Sequence, residues 1–494
     1  MKITFIMPNL GRLENGAYID EGSMEPLPLA VLAGLTPPDV ECVLYDDRIE
    51  SIPYDEATDL VAISVEIYTA RRSYEIAAEY RARGVPVVMG GMHPTLAPDE
   101  CLQHADTVFL GDAESLWGRL VEDAKRGRMR RMYRAHAGPA QVGGVLPRRE
   151  LFIGKKYLPI TLMQFTRGCR FACSFCAISS YFDKRHFVRQ THEVLREIES
   201  QRRRVVFFVD DNFLSNHEAA KAFLRELIPL TIRWVSQASI DMTADPELME
   251  LLEASGCLGN VIGFESLSAT NLRAMHKGPA MRIPGRVGGA AGWDRYAKSV
   301  EILRQHHLQT WAAFTLGHDD DTSASIRDTC DFAIDNRFCF AAFNILMPYP
   351  ATPLYDRLAG EGRLLFDGKW WLHPDWRFNH AAFRPTRMSP DELTEATWQA
   401  RYRWNRPSSV INRFFDTQTH LSSPAHAVTY LKYNPLYSKE TFKKQGMRLG
   451  YLENSIHPRR PGPLAVAEAR AIPRRHNAED AKAAERRRVD VAEQ

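Results

Sequence analysis

The chain is 494 residues long, 45% hydrophobic and 25% charged, with a formal net charge of +2. That length allows roughly two or three domains with sizeable cores, and the near-neutral charge excludes a nucleic-acid binder held by bulk electrostatics. No apolar run approaches the ~18 residues of a membrane-spanning helix, and the opening Met-Lys-Ile-Thr-Phe-Ile-Met-Pro has too short an apolar core for a secretory signal. Eight cysteines, three of them clustered, fit a reducing compartment better than a disulfide framework, so a cytoplasmic enzyme is expected.

Residues 1–134 alternate strand and helix patterns. The apolar runs Ile3–Met7, Glu41–Tyr45, Leu60–Val65, Val85–Met89 and Thr107–Leu110 are separated by helical segments such as Ala70–Arg83 and Ser115–Arg126. Strands buried on both faces and joined by helices specify a parallel, Rossmann-like α/β sheet, whose ligands sit at the carboxyl ends of the strands. Gly90-Gly91-Met92-His93-Pro94-Thr95 and Gly111-Asp112-Ala113-Glu114 fall at two such ends. Paired glycines there let a flat ligand come close to the backbone. The basic run Lys125–Arg134 is read as a solvated helix end, and a Gly/Pro-rich stretch to Pro147 marks a linker, 135–157.

From 158 to 350 the pattern becomes six strands with helices between them. The strands are Ile160–Phe165, Val205–Val209, Trp234–Ala238, Val261–Phe264, Thr310–Leu316 and Phe340–Met347. Six βα units suit a partial TIM-type barrel with its chemistry at the strand ends. Directly after the first strand stands Cys169-Arg-Phe-Ala-Cys173-Ser-Phe-Cys176. Electron-transfer clusters take four cysteines and structural zinc sites usually four protein ligands, so three thiolates leave one position open for chemistry. A zinc knuckle completed by His186, or three buried thiols, are the rival readings.

Polar residues punctuate the remaining strand ends, where burial without a partner is costly. Asp210, Asp211 and Asn212 follow the second strand, and one acid is expected to cap the next helix. Ser236 and Gln237 lie on the third strand, and Gly263 and Glu265 end the fourth. Gly278–Gly292 is an insertion rich in glycine and arginine, read either as a lid over the active site or as a disordered, family-specific loop. Residues 351–457 carry Trp370, Trp371, Trp376, Phe378, Phe383, Tyr402, Trp404, Phe414 and Phe415, expected to form the core of a small, mostly helical domain. Within it Ser389-Pro390-Asp391-Glu392 opens a helix. Residues 458–494 have no aromatics and read as a disordered tail.

The C-x3-C-x2-C spacing, with Phe175 before the last cysteine, resembles the signature of the radical S-adenosylmethionine (SAM) enzymes. The resemblance implies a 4Fe-4S cluster on Cys169, Cys173 and Cys176, whose open iron chelates SAM. It implies a SAM site formed by Phe175, Asp210, Asp211, Ser236, Gln237, Gly263 and Glu265, and a flavodoxin- or ferredoxin-type electron donor. The amino-terminal βα pattern resembles the cobalamin-binding domain of one class of these enzymes, and the Pro348-Tyr-Pro350-Ala-Thr352-Pro353 exit of the sixth strand is similar to theirs. That implies a cobalamin near Ser64, Thr69, Gly90, Gly91, His93, Gly111 and Glu114. The chain lacks the D-x-H-x-x-G motif that supplies a cobalt-binding histidine elsewhere, reading Pro8 to Gly16 instead, and His93 is read as a loop residue or one behind the ligand. The activity implied is methylation of an unactivated carbon or phosphinate phosphorus in a small molecule or lipid. Alternatives are radical cyclisation or rearrangement, and 3-amino-3-carboxypropyl transfer to a soft acceptor such as arsenic(III). A corrinoid- or iron-sensing regulator is the non-enzymatic one. Cys257, Cys330 and Cys339 are expected to be structural.

Overall fold

Short apolar runs with both faces covered build the first sheet. β1 (Lys2–Met7), β2 (Glu41–Asp46), β3 (Leu60–Ser64), β4 (Val87–Gly90), β5 (Thr107–Leu110) and β6 (Met132–Arg134) pair in parallel in the order β2-β1-β3-β4-β5-β6. Alternate side chains feed two cores. Ile3, Phe5, Leu60, Ala62 and Val88 pack with α1 (Leu27–Leu35) on one face. Ile6, Val61, Ile63 and Met89 pack with α2 (Ala70–Ala82) on the other. Two short helices, α3 (Met92–Leu96) and α4 (Pro98–His104), follow β4, and α5 (Trp117–Lys125) follows β5. The strand order reverses between β1 and β3, the topological switch point at which doubly wound sheets open a crevice. The computed structural model describes residues 1–11, 23–135, 145–201, 203, 205–282 and 293–450.

Two parts of this layer escape the sequence pattern. α1 reads Leu-Pro-Leu-Ala-Val-Leu-Ala-Gly-Leu and has no polar face to give it a period. The basic run does not continue α5. It turns back as β6, where Tyr133 is buried and donates its hydroxyl to Asp123 at 2.8 Å, while Arg119 and Arg128 lie within 3.5 Å of the same carboxylate. Three residues flanked by arginines are too few to show a strand period.

Gly91 holds φ 107°, and a Cβ there would lie 3.0 Å from the Val65 carbonyl oxygen and 3.2 Å from its nitrogen. Gly91→Ala is expected to cost about 2 kcal/mol through strain and crowding together. The check is the urea midpoint, which should fall at unchanged slope.

The second sheet is also parallel, and its order follows the chain. β7 (Thr161–Met163) is followed by a small antiparallel pair, β8 (Thr166–Gly168) with β9 (His186–Val188). The short helix α6 (Ala177–Tyr181) lies between that pair, and α7 (Thr191–Glu199) leads to β10 (Val205–Phe208). Then come β11 (Arg233–Ala238), β12 (Cys257–Glu265), β13 (Gln309–Leu316) and β14 (Phe340–Ile345), giving the open order β14-β13-β12-β11-β10-β7. The run expected as one strand, Ile160–Phe165, is thus cut short to β7, and β8 begins just beyond it.

Helices α8 (His217–Leu227), α9 (Pro246–Ala254), α10 (Ala269–Ala274), α11 (Gly278–Arg282), α12 (Trp293–Gln305), α13 (Ser323–Asp335) and α14 (Pro353–Gly360) connect or follow the strands. Asn216, Asp245, Ser268, Thr322 and Thr352 cap five of them through side-chain oxygens, which satisfies otherwise orphaned amides. The cap of α8 is therefore Asn216, and neither Asp210 nor Asp211. Of the insertion at 278–292, only α11 lies within the described residues, and the tail from 458 lies outside them.

α15 (Pro390–Trp404) opens on the Ser389/Glu392 capping box, and α16 (Pro407–Phe414) and α17 (Pro424–Lys444) complete the helical part. Trp370, Trp371, Trp376 and Trp404 are buried. Arg413 is fully buried with its guanidinium carbon 3.4 Å from the centre of the Trp404 ring, and it donates to the carbonyls of Phe338, Cys339 and Trp404. No helix among the described residues is long and apolar enough to cross a membrane.

Candidate active site

The cysteine segment is anchored from the end of β10. The Phe165 amide donates to Asp210 at 3.2 Å and the Thr166 amide to the same carboxylate. Gly168, at φ 75°, donates its amide to Asp211 at 2.8 Å, and the Asn212 side-chain amide reaches the Cys169 sulfur at 3.6 Å. From the other side Ser174 donates to the Met275 carbonyl at 3.0 Å and accepts from the Leu354 amide at 2.9 Å. The polar run after β10 thus shapes the loop that carries the thiols. Burial pushes the Asp210 carboxyl up to about 7, against the lowering effect of the Thr166 and Phe165 amides, and burial also raises Asp211.

Cys173 is buried, and Cys169 and Cys176 are half-buried. Burial pushes the Cys173 thiol up to about 12, with the charges of Cys176 and Cys169 adding to the rise, while Lys277 opposes it. Burial raises Cys176 as well. Three thiols close enough to feel one another's charge, with a buried cation beside them, are a donor set for a thiolate-bound iron cluster, whose positive charge would favour the ionised form. Among the described residues no group of three His, Cys, Asp or Glu could hold a single metal ion. A cubane asks for something different, since each thiolate binds its own iron. Cys257, Cys330 and Cys339 are buried away from this loop, on β12, α13 and just before β14.

Strand alternation decides which expected residues face the lumen of the second sheet. Trp234, Phe208, Ile262 and Phe264 pack outward into the helical layer. Ser236 shares the face of Trp234, is fully buried, and accepts from the Asn260 side chain at 2.9 Å. Asp210, likewise fully buried, is occupied by the loop amides. Both are thereby turned from the lumen, which corrects the expectation that they meet a ligand there. Gln237 and Gly263 fall on the inner face with Val235 and Val261. Glu265, at φ 64°, is buried and paired with Lys277 at 2.7 Å. Burial pulls the Lys277 ammonium down, yet Glu265 and Cys173 carry it above its ordinary value. Phe175 stands edge-on to His318 with ring centres 6.3 Å apart, and burial pulls His318 down to about 4, so it is neutral near pH 7.

The strand ends of the two sheets face each other across a cleft of about 460 Å³. Ser64, Gly90, Gly91, Gly111 and Glu114 line it from the first sheet, and Arg167, Tyr181 and Asp211 line it from the second. Leu27, Val31, Ile63, Phe109, Ile178 and Phe182 make much of its wall apolar. Two expected residues are elsewhere. Thr69 is buried and bonded to the Glu66 backbone. His93 is fully buried, with Nε2 3.0 Å from the Tyr74 hydroxyl and 3.1 Å from Glu100. The short helix α3 carries the ring away from the cleft.

The sequence reading missed Arg167, Tyr181, Lys277 and Glu66. Arg167 bridges to Asp112 at 3.3 Å and Glu114 at 2.5 Å, and Tyr181 donates to Asp112 at 3.2 Å. The only sequence signal was an arginine directly before Gly168-Cys169. Glu66 is open to the cleft yet surrounded by protein, and burial, then the charge of Asp211, push its carboxyl up to about 7.

A large mixed cleft of this kind, at the switch point of a doubly wound sheet and beside a three-thiol loop on a partial barrel, marks an α/β enzyme with room for bound cofactors. A family model described as the radical SAM superfamily matches residues 163–333, and one described as the B12 binding domain matches residues 21–121. The chain thus carries a radical SAM domain preceded by a B12-binding domain. It is 29% identical over 416 residues to the bacteriochlorophyllide d C-12(1)-methyltransferase of Chlorobaculum tepidum, covering 81% of this chain and 87% of that one. It is 25% identical over 431 residues to the hopanoid C-2 methylase of Rhodopseudomonas palustris, covering 82% and 77%. The fold is similar to that of the radical SAM methyltransferase TsrM from Kitasatospora setae, solved with cobalamin and a [4Fe-4S] cluster, at a TM-score of 0.55 and 17% identity over 80% of this chain and 84% of that one. The cofactors are a 4Fe-4S cluster, SAM and cobalamin, and the thiol loop and the glycine-lined cleft fit them.

Proposed function

We propose that this chain methylates a carbon of a large, mostly apolar polycyclic substrate that enters between the two sheets. The observation that carries the reading is the shared cleft, onto which the glycine-rich ends of β4 and β5 and the strand end beside the cysteine loop both open. The two relatives are named for a bacteriochlorophyllide and a hopanoid, both large ring systems, and the apolar wall suits such a body. When bound, the cluster and SAM supply a carbon-centred radical and the corrinoid supplies the methyl group.

The chain's own residues hold and shield. Cys169, Cys173 and Cys176 hold the cluster, and Asp210 and Asp211 fix their loop through backbone amides. Gln237, Gly263 and the Glu265–Lys277 pair face the bound SAM. Asp211, Glu66 and Arg167 place charge around the junction, where the apolar wall excludes water from the radical. Ser64, Gly90, Gly91, Gly111 and Glu114 border the corrinoid.

The fate of SAM tests this. Under strict anaerobiosis, with a strong reductant and added methylcobalamin, 5′-deoxyadenosine and S-adenosylhomocysteine are expected in near-equal amounts once substrate is present. Deoxyadenosine alone would mean cyclisation or rearrangement. Methylthioadenosine as the main product would mean aminocarboxypropyl transfer and end the methylase reading.

A further inference from the structure

We propose that the hairpin of α16 and α17 docks on the surface of an anionic lipid bilayer. Of the ten large apolar side chains exposed among the described residues, six lie between 402 and 431: Tyr402, Ile411, Phe415, Leu421, Val428 and Leu431. Such clustering on one short stretch, when single exposed apolar residues are ordinary, marks a surface that meets another apolar phase.

The helices are two-sided. Thr429, Tyr433, Leu436 and Tyr437 of α17 face a small apolar cavity of about 160 Å³ at the end of the second sheet away from the cysteines. Pro424, Val428, Leu431, Lys432, Pro435 and Lys439 recur on its opposite side, all exposed. On α16 the exposed stripe is Pro407, Ile411 and then Phe415, which is 61% exposed. The hairpin is firmly seated. Tyr430 of α17 donates to the Val410 carbonyl of α16 at 2.7 Å, Arg413 is buried beneath, and Arg304 pairs with Asp416 at 2.7 Å. The outward apolar residues are therefore a fixed face and not a loosely packed end.

Charge selects the occupant. From Tyr402 to the end of α17 the chain has two carboxylates: Asp416, buried against Arg304, and Glu440, which lines the small cavity and pairs with Lys444 at 3.4 Å. The exposed charges on that span are Arg403, which pairs with Asp331 at 2.6 Å, and Arg406, Lys432 and Lys439, all positive. Apolar side chains among cations, with no exposed acid, match the interfacial layer of an anionic membrane. A second copy of the same face would set these cations against their own counterparts, which disfavours a symmetric dimer.

The test is flotation of the full chain with vesicles and is independent of the reaction proposed above. Vesicles of phosphatidylcholine and phosphatidylglycerol in equal parts are expected to carry at least about tenfold more chain than pure phosphatidylcholine, with binding reduced by high salt. The triple substitution Ile411→Ser, Phe415→Ser and Leu431→Ser is expected to cut that binding about tenfold with an unchanged melting midpoint. The pair Arg406→Glu and Lys432→Glu, which leaves the apolar residues in place, is expected to remove the preference for anionic vesicles. Failure of the parent chain to float with anionic vesicles would overturn the proposal. So would undiminished flotation of the triple variant, or a lipid-independent doubling of mass that the triple variant abolishes.

Discussion

Replacing Cys173 with alanine is expected to reduce SAM cleavage below about 1% of the parent, because a cluster that already leaves one iron open has no ligand to spare. Cys173 is the most buried of the three thiols and the one that Cys169, Cys176 and Lys277 all influence. Iron and sulfide after anaerobic reconstitution should fall from about four of each per chain to a small fraction of that. Cys257→Ala and Cys339→Ala provide the contrast. Both positions are buried away from the loop, so those variants should lose about 1 kcal/mol of stability and keep their iron. Full iron content in the Cys173 variant, or stoichiometric zinc and no iron in the parent, would refute the cluster assignment.

Arg167→Ala is expected to loosen the junction between the two sheets. Its guanidinium crosses from β8 to the loop after β5, where Asp112 and Glu114 both receive it, and all three side chains are at least four-fifths buried. Removing one partner of such a group leaves the acids desolvated and uncompensated, a loss of about 3 kcal/mol. The thermal midpoint should drop, and the stabilisation gained on adding cobalamin should shrink, because the loop that borders the cleft is no longer held. Arg167→Lys should recover only part of the effect, since Nη1 reaches both carboxylates while Nε donates to Gln164 at 2.7 Å, and an ammonium has no second nitrogen for that bond. Equal midpoints and equal cobalamin response in parent and alanine variant would show that the bridge is superficial.

The architecture was legible where side chains repeat. Buried runs of both-face apolar residues marked five strands of the first sheet and the six of the second, because parallel strands between helices have no polar face to hide them. The thiol loop was legible from its spacing alone. The direction of single side chains was not. Asp210 and Ser236 sit at the right strand ends, but one position along a strand reverses the face, and the actual register emerges only from pairing. His93 was lost the same way, through a five-residue helix that no periodicity announces. Lys277 lies twelve residues after Glu265, and Arg167 more than fifty after the two acids it bridges, so neither pairing leaves a local trace.

The end of the described chain returns to its beginning. Gly450 donates its amide to the Leu10 carbonyl at 2.9 Å, Trp371 donates to Glu100 at 2.9 Å, and Tyr68 packs against Trp370, Trp376 and Phe378. During synthesis the first sheet therefore leaves the ribosome with part of its packing still unmade, and stays so until more than three hundred further residues have followed. Closure by contacts so distant along the chain is slow. The nascent amino-terminal domain consequently keeps the surface around Leu10, Tyr68 and Glu100 uncovered through most of translation.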